Sequence, residues 1–101
     1  MDLGLKGKVA LITGSTKGIG RGIAEALAAE GCNLGICARN ADEVNKAVEE
    51  LSATGVKVVG TTVDVSDGDS LANWVNLCTE QLGGVDIFVP NVSAGGADSS
   101  E

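Results

Sequence analysis

Short continuous apolar runs alternate along this chain with longer stretches in which apolar residues return every three or four positions. Residues 8–13 (KVALIT) form the first run, with the few polar interruptions expected of a strand covered on both faces. Residues 18–30 have helical spacing. Ile19, Ile23, Leu27 and the alanines make an apolar stripe, and Gly31 suits a left-handed stop. Residues 33–37 (NLGIC) predict a second strand. Asn40 then caps a second helix, with Glu43 completing a capping box, Val44, Val48 and Leu51 as its stripe, and Gly55 at its end. Residues 57–63 (KVVGTTV) predict a third strand. Ser66 with Asp69 reads as a second capping box, followed by Leu71, Trp74, Val75, Cys78 and Leu82 at helical spacing. Gly83-Gly84 breaks that pattern, and residues 85–89 (VDIFV) predict a fourth strand. Residues 94–101 are small and polar and read as a loop or disordered tail. The pattern βαβαβαβ predicts an α/β fold with a doubly wound parallel sheet. Right-handed crossovers put the first two helices on one face and the third on the other.

Composition narrows this picture. A chain of 101 residues is one domain or part of one. Apolar residues make up 44%, which argues against disorder, and one Trp, one Phe and no Tyr leave an aliphatic core. A net charge of −7 disfavours nucleic acid, and none is expected as a partner, because phosphate backbones require basic stripes. Cys32, Cys37 and Cys78 show no C-x-x-C spacing, the N-terminus carries no apolar leader, and no apolar run reaches the ~20 residues of a membrane span. A cytoplasmic protein with buried thiols and no membrane partner is expected.

Candidate chemistry centres on residues 13–20, TGSTKGIG, between the first strand and first helix. Gly14, Gly18 and Gly20 form G-x-x-x-G-x-G, a variant of the commoner dinucleotide spacing that meets the same needs. One glycine turns the chain off the strand. The others permit close backbone approach, so that amide N–H groups and a helix N-terminus face an anion. A P-loop is excluded because no G-K-[ST] follows. The second helix begins with Asp42 and Glu43 and the third with Asp67 and Asp69, acids that complement a helix dipole. The first helix has no acid before Glu25 and carries Lys17 and Arg21 instead. Its positive end is left for an external anion, unless the need for glycine alone kept acids out of this turn. Lys17, Arg21 and Arg39 lie near the turns that would meet phosphate, against the alternative of a chance scatter of surface charge.

T-G-x-x-x-G-I-G after a first strand resembles the classical short-chain dehydrogenase/reductase family. Asp64-Val65 matches that family's D-V pair after the third strand, and residues 86–93 (DIFVPNVS) fall where it has D-I-L-V-N-N-A-G. Pro90, Val92 and Ser93 depart from that motif, and Asn91 keeps its second asparagine. The departures bear on the backbone path beside a nicotinamide ribose, not on the fold. The resemblance covers residues 8–93 and implies a Rossmann-like sheet. It also implies a cofactor site made of Gly14, Ser15, Thr16, Lys17, Gly18, Ile19, Gly20, Arg39, Asp64, Val65, Asn91, Val92 and Ser93, with Asp64 beside the adenine ring. An acid at the end of the second strand would hold both ribose hydroxyls of NAD(H). Here Ala38 is followed by Arg39, whose planar fork suits a 2′-phosphate, so NADP(H) is expected over NAD(H).

The family's hydride transfer is assisted by a Tyr whose pKa is lowered by a Lys four residues later, and by a Ser. This chain has no Tyr and no His, and its lysines all precede the fourth strand, so no Y-x-x-x-K exists here. No serine or cysteine has a His to activate it, and no metal cluster is apparent. Residues 1–93 are therefore expected to be a partial dinucleotide-binding domain, with 94–101 leading to an absent catalytic half, and the chain alone is expected to be inactive. The family implies an NADP(H)-dependent oxidoreductase of alcohol dehydrogenase or carbonyl reductase type. It would act on a small carbonyl or alcohol substrate and form a homo-oligomer at full length. The alternatives are a nucleotide-binding module without turnover and a scaffold used for interaction. An apolar fourth strand at the sheet edge and a single helix on one face predict poor solubility or self-association of residues 1–101 alone. The intact mass of the native protein checks the first reading. A mass well above that of 101 residues supports a catalytic half elsewhere in the polypeptide, and a mass equal to it contradicts one.

Overall fold

The computed structural model describes residues 4–64 and 66–91. Strand β1 (Val9–Ile12) leads to helix α1 (Gly18–Ala29), β2 (Asn33–Ala38), α2 (Ala41–Ser52), β3 (Val58–Thr62), α3 (Gly68–Leu82) and β4 (Ile87–Val89). The four strands form one parallel sheet in the order β3-β2-β1-β4. The tail expected at 94–101 lies outside the described residues.

The two sides of the sheet carry separate cores. Ala10 and Ile12 of β1, with Leu34 and Ile36 of β2, pack under Ala24 and Ala28 of α1 and Ala47 and Leu51 of α2. Val9, Leu11, Cys37 and Val63 pack under Trp74 and Cys78 of α3. The period-two alternation of β1 thus feeds both faces, and all four of its residues are buried. Trp74 fills the α3 side, and its indole N–H donates to the Ile36 carbonyl at 3.0 Å, so its one polar atom is satisfied.

Side chains fix the strand registers. The Asn33 Oδ1 accepts from the Lys57 amide at 2.9 Å, tying the start of β3 to β2. The Asp86 Oδ2 accepts from the Val9 amide at 2.9 Å while the Asp86 amide donates to the Val9 carbonyl at 2.9 Å. This two-way clamp brings the chain into β4, and regular pairing starts only at Ala10↔Ile87. The fourth strand is accordingly shorter than residues 85–89.

Two sequence expectations are corrected. The capping box of Ser66 with Asp69 does not form: Asp67 is the N-cap of α3, its Oδ1 accepting from the Asp69 and Ser70 amides at 3.0 and 3.4 Å. Ser66 instead donates its hydroxyl to Asp64 Oδ1 at 2.6 Å, so an Asx-type bond across two residues outcompetes the cap. Ile19 is 76% exposed and lies outside the α1 stripe, which runs through Gly20, Ala24 and Ala28 with Ile23 and Leu27 at its flank. Small residues hold this face because the helix lies close to the sheet. Asn40 caps α2 as expected, accepting from the Glu43 amide at 3.0 Å.

One helix covers β1 to β3 on its side but not β4. Phe88, the register partner of Leu11, is 48% exposed. Among the described residues no helix is long and apolar enough to cross a membrane.

All three cysteines are free and buried. Burial pushes the Cys37 and Cys78 thiols up to about 11 from an ordinary 9.0. Between those values the folded state binds more protons than the unfolded chain, so stability falls as pH rises through that window. In the folded protein at pH 8, the three thiols are expected to resist a disulfide reagent and to react only after denaturation, and the urea midpoint is expected to fall between pH 9 and pH 11. Fast native labelling or a flat alkaline profile contradicts the burial described.

Candidate functional site

Parallel strands place their C-terminal ends along one edge, and the turns leaving β1, β2, β3 and β4 therefore gather there. The chain passes from β1 through α1 toward β2 on one side of the sheet, and β4 joins the other flank of β1 after α3 has crossed on the opposite side. The crevice at which strand order reverses lies between β1 and β4. The TGSTKGIG turn leaves β1 at this point.

The turn is held by a strut of backbone and amide contacts. Gly14 and Gly18 have φ of +60° and +59°, left-handed values that a side chain disfavours. Gly20 is needed for a different reason. A Cβ there would overlap the Gly14 carbonyl and sit 2.6 Å from Asn91 Nδ2. That amide donates to the Gly14 carbonyl at 3.2 Å, and the Thr13 hydroxyl donates to the Asn91 carbonyl at 3.2 Å. The Thr13 amide donates to the Val89 carbonyl at 3.2 Å. Asn91 thus fastens the end of β4 to the turn and to the first turn of α1.

Ser15 fastens the other flank. It is fully buried, and its hydroxyl donates to the Ile12 carbonyl at 2.9 Å and accepts from the Cys37 amide at 3.2 Å. The Ser15 amide donates to the Cys37 carbonyl at 3.2 Å. The serine continues the β1–β2 ladder past the end of the strand, with its hydroxyl committed to main chain.

Helix α1 begins with Lys17 at the N-cap, with no side-chain cap and no acid in the first turn. Helix α2 is capped by Asn40 and α3 by Asp67, each with acids in the first turn. The amides opening α1 and the positive end of its dipole therefore meet no carboxylate on their own helix.

The cations of the sequence reading have acidic neighbours. Lys17 Nζ lies 3.2 Å from Glu43 Oε2, and the Thr16 hydroxyl donates to Glu43 Oε1 at 3.4 Å. Arg21 pairs with Glu25 at 2.9 Å and with Glu50 at 2.7 Å, so its guanidinium braces α1 against α2. The Arg21 bond is also the main reason the Glu50 carboxyl lies below its ordinary range. Arg39 follows β2 and is exposed. The Asp64 carboxyl is held low, first by the Ser66 hydroxyl, then by the Ser66 amide, with a smaller contribution from the Arg39 charge. Among the described residues no group of three or more His, Cys, Asp or Glu side chains could hold a metal.

Of the sequence-predicted residues, Gly14 to Gly20, Arg39, Asp64 and Asn91 come to the same edge of the sheet. Val65, Val92 and Ser93 lie outside the described residues. Two residues make contacts at the site that the sequence did not reveal. Thr13 anchors Asn91, and Glu43 reaches the turn in addition to opening α2. The signal for Glu43 was topological: adjacent parallel strands put their following turns side by side, so the start of α2 faces the start of α1.

The model of the short chain dehydrogenase family matches residues 8–101. The chain belongs to the short chain dehydrogenase family. Its curated relatives include the glycine betaine reductase ATRR of Emericella nidulans, 47% identical over 85 residues, covering 84% of this chain and 7% of that protein. Among solved structures, the L-sorbose reductase of Gluconobacter frateurii complexed with NADPH and L-sorbose is 40% identical with a TM-score of 0.88, covering 92% of this chain and 36% of that one. The alcohol dehydrogenase of the archaeon Thermococcus sibiricus complexed with 5-hydroxy-NADP is 40% identical with a TM-score of 0.77, covering 80% and 35%. This short-chain dehydrogenase sequence thus spans about a third of the length of those solved enzymes and less of the curated relative. Its Rossmann-like sheet is the one these oxidoreductases share.

The contact at Gly20 can be tested against a neighbour in the same helix. Gly20→Ala is expected to cost about 1–3 kcal/mol, because backbone must move to admit a methyl group. Gly22 has open space around its Cβ position, so Gly22→Ala is expected to be neutral or to stabilise by up to about 1 kcal/mol. Urea unfolding followed by the emission of Trp74, the sole tryptophan, reads both. Equal effects at the two positions contradict the close approach.

Proposed function

We propose that this short-chain dehydrogenase chain is the cofactor-binding part of an NADP(H)-dependent oxidoreductase acting on a small carbonyl or alcohol. The observation that carries the reading is the start of α1. It lacks a side-chain cap and a first-turn acid, and Gly20 lets it pack directly against the Gly14 carbonyl, which fixes where its opening amides face. These features fit a pyrophosphate at a helix N-terminus. Gly14, Thr16, Lys17, Gly18, Ile19 and Gly20 would line the phosphate turn, with exposed Ile19 offering apolar surface. Ser15 would act through the main chain it ties down. Asp64 and Val65 would flank the adenine, and Asn91, Val92 and Ser93 the nicotinamide side. When bound, such a cofactor supplies or accepts the hydride.

Preference for NADP(H) rests on Arg39 directly after β2, where an acid would favour NAD(H), and on Lys17 in the turn. NADP-type ligands in two related solved enzymes agree with it. These 101 residues hold no Tyr and no His, so the family's Tyr-x-x-x-Lys pair would lie outside them, and turnover is not expected from this chain alone. Residues 1–93 are read as the nucleotide domain. A cytoplasmic location is supported by three unpaired thiols, and assembly of the full-length protein into a homo-oligomer is carried over from the family resemblance.

Calorimetric titration of both cofactors tests the reading. NADPH is expected to bind at least several-fold tighter than NADH, and Arg39→Asp is expected to reverse the order with a loss of about tenfold or more for NADPH. Tighter binding of NADH by the unaltered protein contradicts it.

A further inference from the structure

Glu43 is the acid that the cofactor reading leaves without a task. It sits at the start of α2, where its amide donates to the Asn40 cap while its carboxylate is directed away from that cap. That carboxylate reaches across to the β1–α1 turn. One oxygen lies 3.2 Å from Lys17 Nζ and the other accepts from the Thr16 hydroxyl at 3.4 Å. It therefore engages both polar side chains that the turn presents between Ser15 and Gly18. The pair is partly exposed, with side-chain exposures of 54% for Lys17 and 37% for Glu43, so solvent weakens it and an incoming anion can replace it.

We infer that Glu43 is a specificity-determining residue: its carboxylate occupies the cation of the turn and opposes the 2′-phosphate of NADP(H), narrowing the margin by which NADP(H) is preferred over NAD(H). The inference rests on the proposed cofactor site. A 2′-phosphate that engages Lys17 must displace the carboxylate or accept it as a like-charged neighbour. A 2′-hydroxyl meets no such opposition, because it carries no charge and can donate a hydrogen bond to an acid. Lys17 and Arg39 thus favour the phosphate, and Glu43 offsets part of what Lys17 contributes. Lys17 is the suitable target for such an offset, since an ammonium is a point charge that one carboxylate largely neutralises. The charge enters from a different helix than the one that opens the phosphate turn, so selectivity is set independently of the glycine framework.

The test titrates the native protein with NADPH and NADH, and with 2′,5′-ADP and 5′-AMP as probes that differ only in the 2′-phosphate. Glu43→Gln keeps the side-chain length and the capped amide. It is expected to tighten NADPH and 2′,5′-ADP by about three- to fivefold and to leave NADH and 5′-AMP within about twofold. Glu43→Ala is expected to act in the same direction. In a Lys17→Met background the gain from Glu43→Gln is expected to shrink to about twofold or less, because the two residues act as a pair. Equal tightening of all four ligands overturns the inference, as does weaker NADPH binding in Glu43→Gln, which would make Glu43 an aid that positions Lys17. The two readings fail separately. If the unaltered protein prefers NADH while Glu43→Gln still selectively tightens 2′,5′-ADP, the cofactor preference falls and the role of Glu43 stands. If NADPH is preferred and Glu43→Gln leaves that preference unchanged, the role of Glu43 falls alone.

Discussion

The candidate site depends on one backbone contact, the approach of Gly20 to the carbonyl of Gly14. Nothing larger than a hydrogen fits between them. The same carbonyl accepts from Asn91, which in turn receives the Thr13 hydroxyl on its own carbonyl. Three segments, the end of β1, the start of α1 and the end of β4, therefore converge on a single oxygen. Separate the helix from that oxygen by the width of a methyl group and the first turn of α1 no longer has a fixed direction. The fold supports the contact from beneath: β1 is buried throughout, and Ser15 extends its pairing with β2 beyond the last regular ladder bond. The Thr13, Ser15 and Asn91 side chains are spent on main chain, which leaves the opening amides of α1 for a ligand.

Electrostatics act on this frame more evenly than basic residues near a glycine turn suggest. Arg21 is used in bracing α1 against α2, and Lys17 faces Glu43. Arg39 contributes to lowering the Asp64 carboxyl, though the Ser66 hydroxyl contributes more. The net effect is a site whose helix dipole is open while its side-chain charges are partly balanced. On the proposed reading, such a site would attract a phosphate chiefly through oriented amides and discriminate among nucleotides through a few side chains. That division separates what must be kept for binding from what can vary to change the cofactor.

Much of the fold was legible in the sequence, because in a parallel sheet the pattern is nearly redundant. Apolar runs such as VALI and NLGIC, short and bounded by turn residues, read as buried strands, helical stripes sit between them, and glycines at Gly31, Gly55 and Gly83 take the left-handed stops. Where it misled, local and tertiary chemistry competed. Ser66 had the spacing of a cap, but Asp64 lay two residues away with a stronger acceptor. Ile19 had the type of a core residue, but the helix turns its small side to the sheet. The glycines of the turn were legible individually, whereas their reason was not, since it lies in Asn91, some 70 positions away in the chain. Glu43 was legible as a helix opener and invisible as a partner of Lys17, because that pairing exists only once β1 and β2 lie side by side.

On the proposed function, the β1–α1 turn is a preformed cradle for a dinucleotide phosphate. Amide-resolved NMR during titration with NADPH tests it most directly. Saturable shifts are expected to concentrate at Gly14 to Gly20, with smaller ones at Arg39 and Asn91, and little change in the strands beneath. Saturable shifts that avoid the turn, or no shifts at all at millimolar cofactor, would contradict it.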